Sequence, residues 1–300
     1  MLKNILVATD FSGPSRAALF AGVSLAKRSL GHIEVVHVVT PWEEIYNFSR
    51  YGIPDYQWKI ELQKHLDDFF PQKLYPNSNR QIIVGRSVSE EILKFARTHG
   101  SELIILGFHG RDAVSNLLLG SLSQKISHVS EIPVMLVHDV RHANQPYQGF
   151  DRILVPTDFS DTSMNALAFG IRFTNFLKAD LHLIHVVDTW TIAELQPAYQ
   201  AGHSTIPATC ELNVDSTLLR MVDKKELVAD FCVSTLFGDP ATEIVTYAEE
   251  KRADFIIMGN HGRKGLERMV LGSVTASVIA KSLVPVITMS HAQTRDSNFS

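Results

Sequence analysis

Short, uniformly apolar runs alternate along this chain with longer stretches in which apolar residues recur at helical spacing. Ile5 to Ala8 is such a run, and its lack of alternation predicts a strand buried on both faces. Leu19, Val23 and Ala26 then follow at helical spacing, as Leu167 and Ile171 do later. Ser12 and Ser160 stand where helix N-caps are expected. Second strands are predicted over Ile33 to Val39 and Leu181 to Val187, and third strands over Gln81 to Val84 and Phe231 to Leu236. Fourth strands fall at Leu103 to Leu106 and Phe255 to Met258, and last strands at Val134 to Val137 and Val286 to Met289. The intervening helices are Lys59 to Phe70, Glu90 to His99 and Gly120 to Ser130, then Thr217 to Val228, Thr242 to Arg252 and Gly272 to Ser282. Strand–helix alternation of this kind implies parallel sheets covered on both faces by right-handed crossovers.

The pattern occurs twice. Ile5-Leu6-Val7-Ala8-Thr9-Asp10-Phe11-Ser12 returns as Ile153-Leu154-Val155-Pro156-Thr157-Asp158-Phe159-Ser160, an offset of 148 (158 less 10). His37-Val38 and Trp42 return at the same offset as His185-Val186 and Trp190. Leu106-Gly107 and Pro133-Val134 return as Met258-Gly259 and Pro285-Val286, now at 152 (259 less 107). So long a period excludes a solenoid and points to one domain duplicated and fused. The expected domains are 1–140 and 150–292, joined through the weakly hydrophobic stretch Arg141 to Gly149.

Composition narrows the class. The chain has 300 residues, 45% hydrophobic and 20% charged, which suits two domains with their own cores and excludes wholesale disorder. Its net charge of −4 argues against nucleic-acid binding as the main task. No apolar run approaches the ~20 residues of a membrane span, and Asp10 interrupts what would otherwise suggest a signal peptide. The two cysteines, Cys210 and Cys232, make no disulfide framework and read as ordinary free thiols, so a cytoplasmic protein is expected. Thirteen histidines invite a metal, but no H-E-x-x-H or C-x-x-C spacing occurs, and none is expected.

Candidate chemistry lies after the fourth strand of each copy. Gly107-x-x-Gly110-x(9)-Gly120-Ser121 is matched by Gly259-x-x-Gly262-x(9)-Gly272-Ser273. In an open α/β sheet, ligands sit beyond the carboxyl ends of the strands. Glycines let a main chain approach a phosphate closely, and a helix opening at Gly120-Ser121 or Gly272-Ser273 turns its amides and dipole toward an anion. The Ser121 and Ser273 hydroxyls can donate to phosphate, and Arg111 and Arg263 can offer it a fork. The competing reading makes these glycines tight turns and helix caps. Neither loop is a P-loop, and neither follows a first strand as the dinucleotide fingerprint does.

With Asp10-Phe11-Ser12, His37-Val38, the two glycine motifs and the final Pro-Val strands in view, the chain resembles the universal stress protein family over nearly its whole length, as a tandem of two ATP-binding-type domains. The resemblance implies an α/β fold of two doubly wound, five-stranded parallel sheets of Rossmann-like kind, strand order 3-2-1-4-5. It implies that Ala8, Thr9 and Asp10, with Pro156, Thr157 and Asp158, hold the nucleoside end. Val38 and Val186 would offer main-chain groups to adenine. Gly107, Gly110, Gly120 and Ser121 would cradle ribose and phosphates with Leu122, and Met258, Gly259, Gly262, Gly272 and Ser273 would do so with Val274. ATP is the implied cofactor, with Mg2+ as its companion ion. Ala8 departs from the commoner proline seen at Pro156. Family members resembling one copy pair through their last strand, so an intrachain pseudo-dimer is expected, and a further homodimer is compatible with it.

Other readings stand beside these. Asp10 and Asp158 also suit a helix-capping role. His37 and His185, inside apolar strands, read first as core histidines with a satisfied hydrogen bond. His109 and His261, between the loop glycines, are the only local candidates for a general base. Pro41 to Trp58 holds six aromatics, which suit packing over the sheet or a groove for a partner or apolar ligand. The function expected is a nucleotide-dependent stress-response switch or partner-binding module with one site per domain. The alternatives are a slow ATPase, disfavoured by the missing base, and a scaffold working through the aromatic segment.

Overall fold

The computed structural model describes residues 2–41, 55–108, 121–138, 150–188, 208–223, 227–261 and 271–290. The chain divides into two compact units, Met1–Gln148 and Gly149–Ser300. In the first, β1 (Asn4–Ala8), α1 (Gly13–Ser29), β2 (His32–Val39), α2 (Asp55–Phe69) and β3 (Ser78–Val84) are followed by α3 (Val88–Thr98), β4 (Leu103–Phe108), α4 (Ser121–Val129) and β5 (Val134–His138). Its strands are parallel, in the order β3-β2-β1-β4-β5. In the second, β6 (Arg152–Pro156), α5 (Asp161–Leu177), β7 (Asp180–Val187), α6 (Ala208–Asp223) and β8 (Phe231–Phe237) are followed by α7 (Pro240–Glu250), β9 (Phe255–Gly259), α8 (Ser273–Lys281) and β10 (Val286–Met289). The order is again parallel, β8-β7-β6-β9-β10.

The apolar runs form the middle of each sheet for the reason their composition gave. Ile5, Leu6 and Val7 have no solvent exposure, nor do Ile153, Leu154 and Val155. Consecutive strand residues face opposite sides, so both faces of these strands are covered. Burying side chains of this size contributes roughly 1.5–3 kcal/mol each. The first helix of each unit lies close on the sheet: a Cβ on Gly22 would meet Val7 Cγ2 at 2.9 Å, and one on Gly170 would meet Val155 Cγ2 at 2.7 Å.

Edges depart from expectation. β3 begins at Ser78 rather than Gln81, because Ser78, Asn79 and Arg80 pair with Ile33, Glu34 and Val35. A polar start to an outer strand leaves no apolar run to read. α6 spans Ala208–Asp223 instead of ending at Val228, which is almost wholly exposed. Of the aromatic segment, Trp58 is buried, whereas Trp42, Tyr46, Phe48 and Tyr51 lie outside the described residues, as does the stretch joining the two units. Among the described residues no helix is long and apolar enough to cross a membrane.

In each unit the chain leaves the first strand for one side of the sheet and the fourth for the other. This is the reversal point at which open α/β sheets hold ligands, beyond the carboxyl ends of β1 and β4, or of β6 and β9.

Candidate functional site

The turn after the first strand is a hydrogen-bonded knot built only from neighbours. The Thr9 hydroxyl, buried, lies 2.9 Å from the Ser15 hydroxyl and accepts from the Phe11 amide at 3.0 Å. Asp10 Oδ1 accepts from the Ser12 amide at 3.0 Å and from the Ser12 hydroxyl. Ser12 caps α1 by accepting from the Ser15 amide at 3.3 Å. The knot forces Phe11 to φ 64°, a left-handed conformation that costs a non-glycine residue about 1–2 kcal/mol. Its ring compensates by packing against His37 at 4.5 Å and Phe69 at 5.5 Å.

The second unit repeats this atom for atom. Thr157 lies 3.0 Å from Ser163, Phe159 donates to Thr157 at 3.1 Å with φ 64°, and Ser160 holds Asp158 while capping α5. His37 Nδ1 is 2.7 Å from the Thr9 carbonyl and His185 Nδ1 is 2.7 Å from that of Thr157. A carbonyl only accepts, so each Nδ1 carries the proton. These two histidines orient the turn.

Asp10 is exposed, and its charge is favoured. Partial burial pushes its pKa up, but the hydrogen bonds from Ser12, with a contribution from Ser15, outweigh this and hold it below the usual carboxylate value. The free edge of this carboxylate is the part of the turn open to a ligand. The Thr9 and Thr157 hydroxyls, by contrast, are engaged inside the knot. Ala8 and Pro156 end their strands one residue earlier.

Val38 and Val186 sit where main-chain groups outrun the ladder. Pairing of β1 with β2 closes with the Thr9 amide on the Val36 carbonyl at 2.9 Å. Main-chain groups alternate sides along a strand, so Val38 points its own toward β1, past the last registered pair. Val39 faces the other way and accepts from Gly85 at 3.0 Å. The Thr157 amide on Ile184 at 2.8 Å and the Gly238 amide on Val187 at 3.1 Å place Val186 identically.

The first glycine of each motif has a cause that spacing alone does not reveal. A Cβ on Gly107 would lie 2.3 Å from the Ser15 amide nitrogen and 2.4 Å from the Pro14 carbonyl carbon. On Gly259 it would meet Thr162 Oγ1 at 2.8 Å and the Ser163 nitrogen at 3.0 Å. Both glycines admit the first turn of their own unit's first helix, α1 or α5, so helix packing already accounts for them. Met258 is buried beside Gly259 within β9.

The distal end of the motif is a helix start without a side-chain cap. Gly272 precedes α8 at φ −56°, ψ 143°. α1, α5 and α7, in contrast, are capped by Ser12, Ser160 and Asp239. Ser273, exposed, and Val274 supply amides of the first turn. The loop is stitched below: Gly272 donates to the Asn260 carbonyl at 2.7 Å, and Asn260 to Met289 at 2.8 Å. Thr162 donates to the His261 carbonyl, tying loop to α5, and Thr275 donates to Gly259 at 2.8 Å. Ser121 and Leu122 open α4 at the matching place, with Leu122 exposed. Gly110, Arg111, Gly120, Gly262 and Arg263, and with them His109, lie outside the described residues.

Sequence reasoning passed over Ser15 and Ser163, which complete the knot. Their signal was available, since they too stand 148 residues apart (163 less 15).

Comparison with known proteins agrees with this architecture. The family model of universal stress proteins matches residues 1–138 and again 149–289. A universal stress protein of Methanocaldococcus jannaschii is 36% identical over 140 residues, 46% of this chain and 81% of that one. One from Mycolicibacterium smegmatis is 25% identical over 291 residues, 94% of this chain and 95% of its own. The crystal structure of a universal stress protein from Archaeoglobus fulgidus superposes with a TM-score of 0.66 at 23% identity, covering 97% of this chain and 99% of that one, and so shares the fold. With both halves matched separately, the chain belongs to the universal stress protein family, as a tandem of two of its domains.

Proposed function

We propose that each unit binds one ATP and that the chain works as a nucleotide-dependent regulatory module in a stress response. The observation that carries this reading is the uncapped first turn of α8 behind Gly272, which follows β9 at the sheet's reversal point. Helix ends whose amides lack side-chain partners are favourable seats for phosphate. The residues fit the rest of a nucleotide: Val186 offers main-chain groups to an adenine edge, Asp158 accepts from ribose hydroxyls, and Ser273 and Val274 donate to phosphate oxygens. Val38, Asp10, Ser121 and Leu122 take these parts in the first unit. Arg263 and Arg111 follow the second motif glycine, where a guanidinium would add charge. A divalent ion such as Mg2+ would travel with the triphosphate. For binding to act as a switch, two conformations must differ in affinity for ATP.

Ser273→Pro tests the reading sharply. Proline suits the first position of a helix, and the extended Gly272 before it accepts one, so α8 stays intact while an amide and a hydroxyl are lost. Calorimetric titration of the nucleotide-free chain with ATP should give two sites. The variant should lose about tenfold or more in affinity at one of them, since hydrogen bonds to charged groups are worth roughly 1.5–3 kcal/mol. Unchanged binding at both sites refutes the assignment of the phosphate seat. ADP accumulating during incubation would move the reading toward hydrolysis, and no binding at all would leave a scaffold.

A further inference from the structure

On the other half of β7, away from the nucleotide seat, four side chains with proton chemistry converge. Cys232 in β8 is directly opposite His182 in β7, with Sγ 3.1 Å from Nδ1. The Tyr247 hydroxyl on α7 lies 3.1 Å from the same Nδ1 and 3.7 Å from Sγ. The Ser234 hydroxyl stands 3.4 Å from Tyr247, in position to donate to it. Cys232 is exposed, on the outer strand of its sheet. The corresponding positions of the first unit differ: Glu34 and Asn79 are the opposed pair, joined by an amide-to-carboxylate bond of 3.0 Å, and Phe95 stands in the place of Tyr247.

We propose that Cys232 is a thiol–disulfide exchange site, served by His182 and Tyr247, that takes up an anionic low-molecular-weight thiol as a mixed disulfide. Nδ1 accepts the thiol proton and then, as N–H, donates to the thiolate, while the Tyr247 hydroxyl is the second donor within reach. The thiolate attacks one sulfur of a small disulfide. One S–S bond breaks and one forms; Cys232 is oxidised to the mixed disulfide, and the departing half leaves as a thiolate that takes up a proton. His182 is positioned to be neutral at physiological pH. Burial lowers its pKa first, then the charge of Arg152; Asp180 opposes this, and Lys251 adds to it. Lys251 Nζ stands 5.6 Å from the Tyr247 ring centre, and Arg152 donates to the Lys251 carbonyl at 2.9 Å. Arg152 and Lys251, the two cations felt at His182, give the surroundings a positive charge that favours an anionic partner.

The test uses the full chain carrying Cys210→Ser, so that Cys232 is its only thiol. Oxidised glutathione should add one glutathione to Cys232 by mass, about tenfold faster at neutral pH than in the His182→Asn variant. The rate with His182 present should be flat across neutral pH and fall as His182 takes up a proton, below the ordinary imidazole value of 6.5. Without it, the rate should climb steadily with pH. Tyr247→Phe keeps the ring and should slow the reaction about threefold, which decides the matter if His182→Asn fails to fold. Added salt should slow glutathione disulfide but not uncharged hydroxyethyl disulfide. No adduct, or equal rates and profiles with and without His182, overturns the site; an equal salt response overturns the anionic class.

Discussion

The two units share one turn and differ in how the loop beside it is anchored. Thr-Asp-Phe-Ser folds identically in both, with corresponding hydrogen bonds agreeing to about a tenth of an ångström. Around it, Pro14 faces Gly107 where Thr162 faces Gly259 and reaches into the loop. β4 ends on Phe108, packed edge-on against His138 at 4.8 Å, whereas buried Asn260 and Ser290 stand at those places in the second unit. Pro156 lacks the amide that would face β9, and registered pairing of β6 with β9 stops at Leu154, while β1 keeps pairing with β4 to Ala8. What repeats is therefore what shapes the main chain and aims Asp10 or Asp158. What varies is how the neighbouring loop is anchored.

The largest effect that would test this contrast comes from the first motif glycine. In Gly107→Ala the new methyl meets main chain at 2.3 Å, and only a shift of all of α1 relieves it. In Gly259→Ala the nearest atom is the Thr162 hydroxyl at 2.8 Å, with main chain behind it at 2.9 Å. Overpacking should cost about 3 kcal/mol in the first case and about 1–2 kcal/mol in the second. Urea unfolding of each variant measures this. Equal losses would show that anchoring does not differ between the units.

Thr9→Val and Thr157→Val come next, and here the units should agree. Each removes a buried hydroxyl and leaves a phenylalanine amide without its acceptor, while the Ser15 or Ser163 hydroxyl keeps its bond to the Ser12 or Ser160 carbonyl. Stranding such a group costs about 1–3 kcal/mol. Matching losses support a common knot, and a loss confined to one unit breaks the equivalence.

Much of this was open to reading before any coordinates. Uniform apolar runs such as Ile5 to Ala8 marked the central strands, because burial on both faces suppresses alternation. The offset of 148 marked the duplication, and Ser12 and Ser160 their helices. Edges were harder: Ser78 to Arg80 are polar because an outer strand is covered unequally. The glycine spacing was plain, yet its cause at Gly107 was hidden, since nothing in a sequence says that Pro14 lies opposite. The His182, Cys232 and Tyr247 cluster was equally hidden. Its members are 50 and 65 residues apart, and only the register of β7 with β8 and the seating of α7 bring them together.

Ser12→Ala and Ser160→Ala should cost about 1 kcal/mol each, the usual loss for a helix cap. Both also free the neighbouring aspartate of its hydroxyl donor, and this should be visible apart from stability. In Ser12→Ala the Asp10 carboxyl should titrate higher than in the unvaried chain, followed by its NMR chemical shift against pH. An unmoved titration would mean that the Ser12 hydroxyl does not hold the carboxylate.

The smallest effect is the acid dependence that Asp10 itself confers. Its folded pKa lies below the ordinary 3.8, because Ser12 and Ser15 outweigh the opposing effect of burial. A carboxyl depressed on folding contributes stability that is fully present above the unfolded value. That contribution drains away as pH falls through the folded value. Asp10→Asn should therefore lower the urea midpoint at neutral pH, and the gap to the unvaried chain should close only below about pH 3.8. Asp10 is exposed, so solvent screens the gain and the gap should be smaller than that of either serine variant. A gap that persists unchanged into acid would assign the Asp10 contribution to its shape in the turn rather than its charge. The carboxylate offered to a ligand would then owe nothing to Ser12, and the shared knot would be a device for bending the chain alone.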